Sequence, residues 1–425
     1  MLVISKEQLI RVRDSLLVAI VILYSGSAYA ASINSFYGNL KYFVTAVILV
    51  WALVSQKGQV SVVAHGYRMP VWILISWACL VCVNWIVHGA EESLMTFISR
   101  MLHLVLVYEV VCIIPWERFR YLYIKWIKWI CIVSLVGLYV MENTVFIYLL
   151  PTLKGYDLAG QLYDKYQGFL VYFSGGTGRN YGAFWEPGIF ASHIILAFLL
   201  LQIDDGMRPG DRFSHRLKGR IWLYTLFVVT LISTQSTAGY LLLILTILNS
   251  ILSRIKIYTK RDLIKMVGVF LTGIAVLNVY FNIQNILSRF SLDEHRVFEK
   301  MLEISDSQRM LSIEYNWRAF IASPLIGNGY TGLGMLYTMK DTVLDTATSF
   351  RMLAVFGITG ILFTYVLMRG VAKQATIPVY SRVILGIILL CIINKEPHDS
   401  FLLTWCLIMY TNQTAVVSSE REEIR

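Results

Sequence analysis

Pro324-Leu-Ile-Gly-Asn-Gly-Tyr-Thr-Gly-Leu-Gly334 lies in the one long polar interval, Asn282 to Asp345, of an otherwise apolar chain. The same interval carries Arg289, Arg296, Arg309 and Arg318. On both sides of it the sequence runs in apolar blocks of about 20 residues, the length that crosses a bilayer as a helix. Of the 425 residues, 57% are hydrophobic and 15% charged, where a soluble domain carries roughly 25% charge. The mean hydropathy is +0.62. These values place the chain among all-α polytopic membrane proteins, with 1–425 forming a single integral-membrane domain.

Spans are expected at about 15–33, 38–55, 70–88, 93–114, 122–141, 186–203, 220–234, 236–253, 264–281, 346–368, 379–394 and 399–416. That makes about twelve transmembrane helices, with both termini on one side. Only Thr234-Gln-Ser-Thr237 separates the seventh from the eighth, as a tight hairpin or a re-entrant pair. The net charge of +10 supports the count. Lys6, Arg11 and Arg13 precede the first span, and Lys57 and Arg68 follow the second. Arg118, Arg120, Lys125 and Lys128 lie between or near the fourth and fifth. Arg208, Arg212, Arg216, Lys218 and Arg220 follow the sixth, and Arg254, Lys256, Lys260, Arg261 and Lys265 the eighth. Arg369, Lys373 and Arg382 follow the tenth. Every second connection is basic, as the positive-inside rule requires, so the basic excess reads as orientation and no nucleic acid is implied. Both termini are then cytoplasmic, and 142–185 and 282–345 are outer loops. No internal repeat marks an inverted-repeat transporter.

All six cysteines sit in apolar runs and read as buried hydrophobes, not as disulfides or metal ligands. The first apolar run reads as a retained anchor. In the large outer loop, Ser291-Leu-Asp-Glu294 fits a capping box. An amphipathic helix is expected from about 292 to 322, lying along the membrane surface or over the bundle, and Ser323-Pro324 ends it.

Several groups of residues could carry chemistry. Gly327-x-Gly329-x-x-Gly332 matches a dinucleotide fingerprint in letters only, because no βαβ unit surrounds it. It reads as a loop before a membrane helix, or as a turn whose N–H groups face an anion. Arg309 and Arg318 can pair with Asp306 and Glu314 on a solvated face, or serve a ligand. Arg351 falls about one turn inside the tenth span, where an ionisable group is costly and takes a functional or paired role. Gly178-Arg-Asn-Tyr-Gly-Ala-Phe-Trp-Glu-Pro187 enters the sixth span, with Pro187 suited to its first turn and Glu186 to its positive end. His193 reads as a satisfied interior histidine. Arg100 and His103 share a face of the fourth span. Lys395-Glu-Pro-His-Asp399 forms the outer turn between the last two spans, with His398 as a spare base.

Arg179-Asn-Tyr-Gly-x-Phe-x-Glu-Pro187 resembles the entrance seen in Wzy-type bacterial O-antigen and capsule polymerases. Trp317-Arg-x-Phe-x-x-x-Pro-Leu-Ile-Gly-x-Gly329 resembles a stretch they share with O-antigen ligases, and Thr234-Gln-Ser-Thr237 resembles their short polar hairpin. The resemblance implies an integral-membrane glycosyltransferase of the GT-C-like type in the bacterial inner membrane, active at its periplasmic side. It also implies a reaction in which a glycan on undecaprenyl diphosphate passes to the non-reducing end of a lipid-linked repeat unit. A chain-length regulator protein and membrane lipid are the implied partners. Fixed guanidiniums suit the diphosphate, and no metal or cofactor is expected. Arg179, Arg309, Arg318 and Arg351 are the candidates for the phosphates. Glu186 is the candidate base, with His398 behind it. Ligases carry a histidine just before the following helix, where this chain reads Asp341-Thr-Val-Leu-Asp-Thr-Ala-Thr-Ser349. That favours polymerase over ligase or protein O-glycosyltransferase, and leaves Asp345 as a substitute base. A lipid-linked oligosaccharide flippase is the alternative from a different class.

Overall fold

The computed structural model describes residues 5–30, 63–64, 66–89, 94–142, 145–156, 162–168, 171–173, 178–206, 213–252, 311–338, 346–374, 377 and 379–415, with scattered helical positions between 43 and 54. Arg309, Asp345, the expected ninth span, most of the second and the Ser291 capping box lie outside the described residues. The described chain is mostly helical. Val71–His88, Trp116–Met141 and Thr348–Ala372 are long and apolar enough to cross a membrane, and Pro187–Ile203, Arg220–Ser233, Thr237–Ser250, Val379–Ile393 and Leu402–Asn412 are shorter apolar helices.

Helix α1 runs Lys6–Leu23, beginning well before the expected 15. Ser5 and Gln8 form a reciprocal capping box: Gln8 N donates to Ser5 Oγ at 3.2 Å and Ser5 N to Gln8 Oε1 at 2.9 Å. Two orphan donors are satisfied this way, which lets the helix start in polar sequence. Then come α2 (Val71–His88), α3 (Leu94–Ile113) and α4 (Trp116–Gly137). Pro115 caps α4, so Arg118, Arg120, Lys125 and Lys128 lie within a helix that begins six residues earlier than the expected 122. Helices α5 (Pro187–Gly206), α6 (Phe213–Ser233) and α7 (Thr237–Leu252) follow. Of the expected surface helix, 311–322 is described and helical, and it ends at Ser323. We label it α8, followed by α9 (Gly329–Thr338).

Two small sheets correct the all-α expectation. In 142–185, β1 (Thr152–Tyr156), β2 (Leu162–Gln167) and β3 (Tyr172–Phe173) form an antiparallel sheet. Tyr156, Tyr163, Tyr166, Tyr172 and Phe173 supply the aromatic residues that favour strands. A second sheet joins Val63–Ala64, Tyr67–Arg68 and Thr414–Ala415.

The expected tenth span is broken. Helix α10 (Thr348–Phe356) stops at Gly357, which sits at φ 64, and α11 (Ile361–Ala372) resumes after one short turn. Helices α12 (Val379–Ile393) and α13 (Leu402–Asn412) complete the bundle. The 324–329 loop causes the break by docking on the exposed backbone. Ile358 N donates to Pro324 O at 2.7 Å, and Asn328 N to Ala354 O at 2.9 Å. Asn328 Nδ2 adds bonds to Ala319 O at 2.8 Å and Ala354 O at 3.1 Å. The glycines are there for close approach: a Cβ on Gly327 would stand 2.1 Å from Val355 O.

Trp77 packs against Trp405 at 4.9 Å and Phe356 at 5.1 Å, joining α2, α10 and α13. Large apolar side chains elsewhere face outward, among them Trp72, Ile75, Ile86, Ile361 and Val383. Cys79 and Cys391 are exposed too, contrary to the expectation that all six cysteines are buried. The bundle has two polar ends. At one, Asp14 is buried between Arg13 (2.9 Å) and Arg118 (2.6 Å), while Arg369 Nη1 reaches Asn412 Oδ1 at 3.1 Å. At the other, Leu403 N donates to Ser25 Oγ at 2.9 Å, and the 178–188, 234–236 and 395–399 segments converge.

Candidate functional site

The convergence is built by short polar segments at helix ends. Ser233 ends α6 and Thr237 starts α7, so the Thr234 turn is a tight hairpin, with Gln235 held at φ 50. The 178–186 segment lies against it. Arg179 Nε and Nη2 donate to Thr234 O at 3.3 Å and Gln235 O at 3.4 Å, while Asn180 N reaches Ser233 O at 2.9 Å. These acceptors are carbonyls at the negative end of α6, which suits a guanidinium. Glu186 sits at the opposite kind of terminus. Its backbone carbonyl accepts from Ile189 N (3.2 Å) and Phe190 N (3.3 Å) at the start of α5.

Lys395, 4% exposed, ties this pair to the last turn. Its Nζ donates to Gly188 O at 2.8 Å and to Ser236 Oγ at 3.1 Å. Gly188 leaves room for it: a Cβ there would lie 2.5 Å from Nζ, so the end of the Lys395 side chain would have to shift. Glu396 is wholly buried beside it. His398 N donates to Thr348 Oγ1 at 2.8 Å, and Thr348 donates to Glu396 O, fastening the turn to the start of α10. One helix turn on, Arg351 Nη1 meets Asp399 Oδ1 at 3.3 Å. Tyr330 OH lies 3.4 Å from Asp399 Oδ2. The Tyr330 ring has two guanidiniums over it, Arg100 at 3.5 Å and Arg351 at 5.5 Å. Such cation–π contacts hold a guanidinium in place without neutralising it.

His398 is buried, with Nδ1 2.9 Å from Thr404 Oγ1 and Nε2 without a partner among the described residues. Burial, and then the charges of His193 and Lys395, push it down to about 3, so the ring is neutral at neutral pH. The unfolded chain therefore binds more protons than the folded one between pH ~3 and ~6.5. Stability contributed by a neutral His398 is complete above pH ~6.5 and falls as the pH drops below it, by up to about 1.4 kcal/mol per pH unit. Melting curves from pH 7 to 5 are expected to fall more steeply for the native chain than for His398→Gln. Parallel curves would remove this role.

Of the expected site residues, Arg179, Glu186, Arg351 and His398 belong to the converging segments. Arg318 does not. It pairs with Glu314 on the exposed face of α8, with 65% of its side chain accessible. His193 is satisfied as expected, by Tyr123 OH at 2.9 Å and Ser25 O at 2.8 Å. For the first two N–H groups of the glycine run the anion-facing reading is corrected: Gly327 N donates to Ser323 O at 3.0 Å and Asn328 N to Ala354 O, so both face the protein. Lys395, Asp399 and Tyr330 were missed as site residues. The first two carry a signal in the sequence, since ionisable groups between two apolar runs are costly to bury without a purpose. Tyr330 carries none. Among the described residues no group of three His, Cys, Asp or Glu side chains is placed to hold a metal ion.

No family model matches the sequence, no curated protein matches it, and no solved structure matches the fold. What the helices and their outward-facing apolar side chains define is a helical membrane protein.

Proposed function

We propose that the chain is a polysaccharide polymerase of the Wzy type in the bacterial inner membrane. In this reading twelve helices cross the membrane, both termini are cytoplasmic, and the end carrying Arg179, Arg351 and the 395–399 turn faces the periplasm. The observation that carries the reading is the meeting of two motif segments, 178–188 and 234–237, with the Arg351–Asp399 pair through Lys395. The acceptor sugar's hydroxyl oxygen attacks the anomeric carbon of the growing chain. The bond from that carbon to the diphosphate breaks, undecaprenyl diphosphate leaves, and the hydroxyl proton passes to a base. Glu186 is the base we favour. His398 is weakened for this task by its low proton affinity, though the neutral ring keeps an acceptor nitrogen. Arg179, Arg351 and, outside the described residues, Arg309 stabilise the leaving diphosphate, a group that needs charge more than a proton. A chain-length regulator protein is a further partner in this reading.

Arg318 provides a clean test because its ion pair is exposed. Exposed pairs contribute about 0–1 kcal/mol, so Arg318→Ala keeps the fold. With Arg318 off the converging segments, we expect near-native chain extension at normal protein level in the membrane; loss of chain extension at that level would return Arg318 to the site. Deleting the gene should leave single-repeat glycolipid at the outer leaflet. Repeat units trapped at the inner leaflet would instead mark a flippase, and full-length polymer lacking its final acceptor would mark a ligase.

A further inference from the structure

At the end of the bundle away from this site, α11 and α12 splay to leave an open groove of about 420 Å³. Its walls are apolar, with Met368 and Val371 on one side and Val379, Val383 and Ile387 on the other. Val379, Val383 and Ile387 are 66%, 58% and 45% exposed, so the groove faces the surroundings of the bundle. Gly386 lines it without a side chain, and a Cβ there would make ordinary contact with Met368 Sδ at 3.5 Å, so a larger side chain has room to project into the trough. Arg382 stands in the same wall, one turn into α12. Its Nη1 donates to Ala372 O at 2.6 Å at the end of α11, and its Nε is buried with no acceptor among the described residues. Arg369 and Lys373 lie on the last turn of α11, reaching Asn412 at 3.1 Å and 3.5 Å. The groove therefore joins an apolar trough to a cationic rim.

We infer that this groove holds an anionic glycerophospholipid of the bilayer, one acyl chain in the trough and the phosphate on Arg382. Charge complementarity selects the occupant. An apolar helix from a partner or a second copy of the chain would cover the Arg382 guanidinium, whose Nη1 bond to Ala372 O is exposed, without a counter-charge, whereas a phosphate supplies one in a charge-assisted bond. The rim also belongs to the polar end that holds Arg13 and Arg118, the end the positive-inside rule places at the anionic leaflet. The inference rests on the membrane character of the chain and not on the polymerase reading.

The test is lipid retention by the purified full chain, read by native mass spectrometry after titration with dioleoylphosphatidylglycerol or dioleoylphosphatidylcholine. The native chain is expected to keep one phosphatidylglycerol in preference to phosphatidylcholine. Arg382→Gln should weaken phosphatidylglycerol retention by about tenfold or more, the scale of a lost hydrogen bond to a charged group. Gly386→Leu, which fills the trough, should weaken both lipids, and Lys154→Gln at the other end should change neither. Equal retention of the two lipids by the native chain overturns the inference, as does unchanged retention in Arg382→Gln. A change of oligomeric state in Gly386→Leu with lipid retention intact also overturns it, and assigns the groove to a second copy.

Discussion

Replacing Gly327 with valine should leave almost no folded protein in the membrane. Gly327 has φ 78, and a Cβ there would lie 2.1 Å from Val355 O, 2.4 Å from Val355 C and 2.6 Å from Gly357 N. All three are backbone atoms, so no side-chain rotation relieves the overlap. A left-handed backbone costs about 1–2 kcal/mol at an L-residue, and overpacking about 1–3 kcal/mol more. The displaced loop also loses the Asn328 bonds that hold the end of α10. With about 0.5–1.5 kcal/mol for each of those two bonds, the total of about 3–8 kcal/mol is a large share of a typical 5–15 kcal/mol. Gly334→Ala is the control, because a Cβ there meets nothing within 4 Å. Detergent-solubilised yield and melting temperature read the outcome. A Gly327→Val protein with native yield and melting temperature would show that the loop does not hold the helix break as described.

The second large effect is on chemistry. Arg351→Ala should lower chain extension by about a hundredfold to a thousandfold, the scale of losing one preorganised donor to a developing anion. The single substitution has a flaw: among the described residues it leaves Asp399, whose side chain is 6% exposed, with the Tyr330 hydroxyl alone. A buried carboxylate without its cation destabilises strongly. Arg351→Ala combined with Asp399→Asn removes both charges, so the fold survives while the guanidinium is absent. We expect the double variant to melt near the native temperature and still lack chain extension. Arg351→Lys should keep part of the activity, because charge remains while the planar fork is lost. Native kcat in the folded double variant would make the pair structural.

Hydropathy places Val71–His88 and Leu94–Ile113 to within a residue or two, because lipid-facing helices must be apolar along their length. It misplaces α1 and α4, whose first turns are charged, and for α1 the Ser5–Gln8 capping box was the missed cue. The break at Gly357 is invisible because the run through it stays apolar and its cause is a loop some thirty residues earlier in the chain. For the site, Arg351 stands out as a charge inside a span, and its link to Asp399 does not, since that pairing depends on how α10 meets the last turn. Arg318 shows the reverse: a residue quoted for its motif whose side chain lies on an exposed face.

The central claim is that this bundle end moves sugars between lipid diphosphates. The direct measurement uses the purified full chain in nanodiscs with one defined undecaprenyl-diphosphate repeat unit. The account predicts a ladder of products spaced by one repeat, with one undecaprenyl diphosphate released per bond formed. Folded protein that leaves only the single repeat, or carries it across the bilayer without making a glycosidic bond, contradicts it.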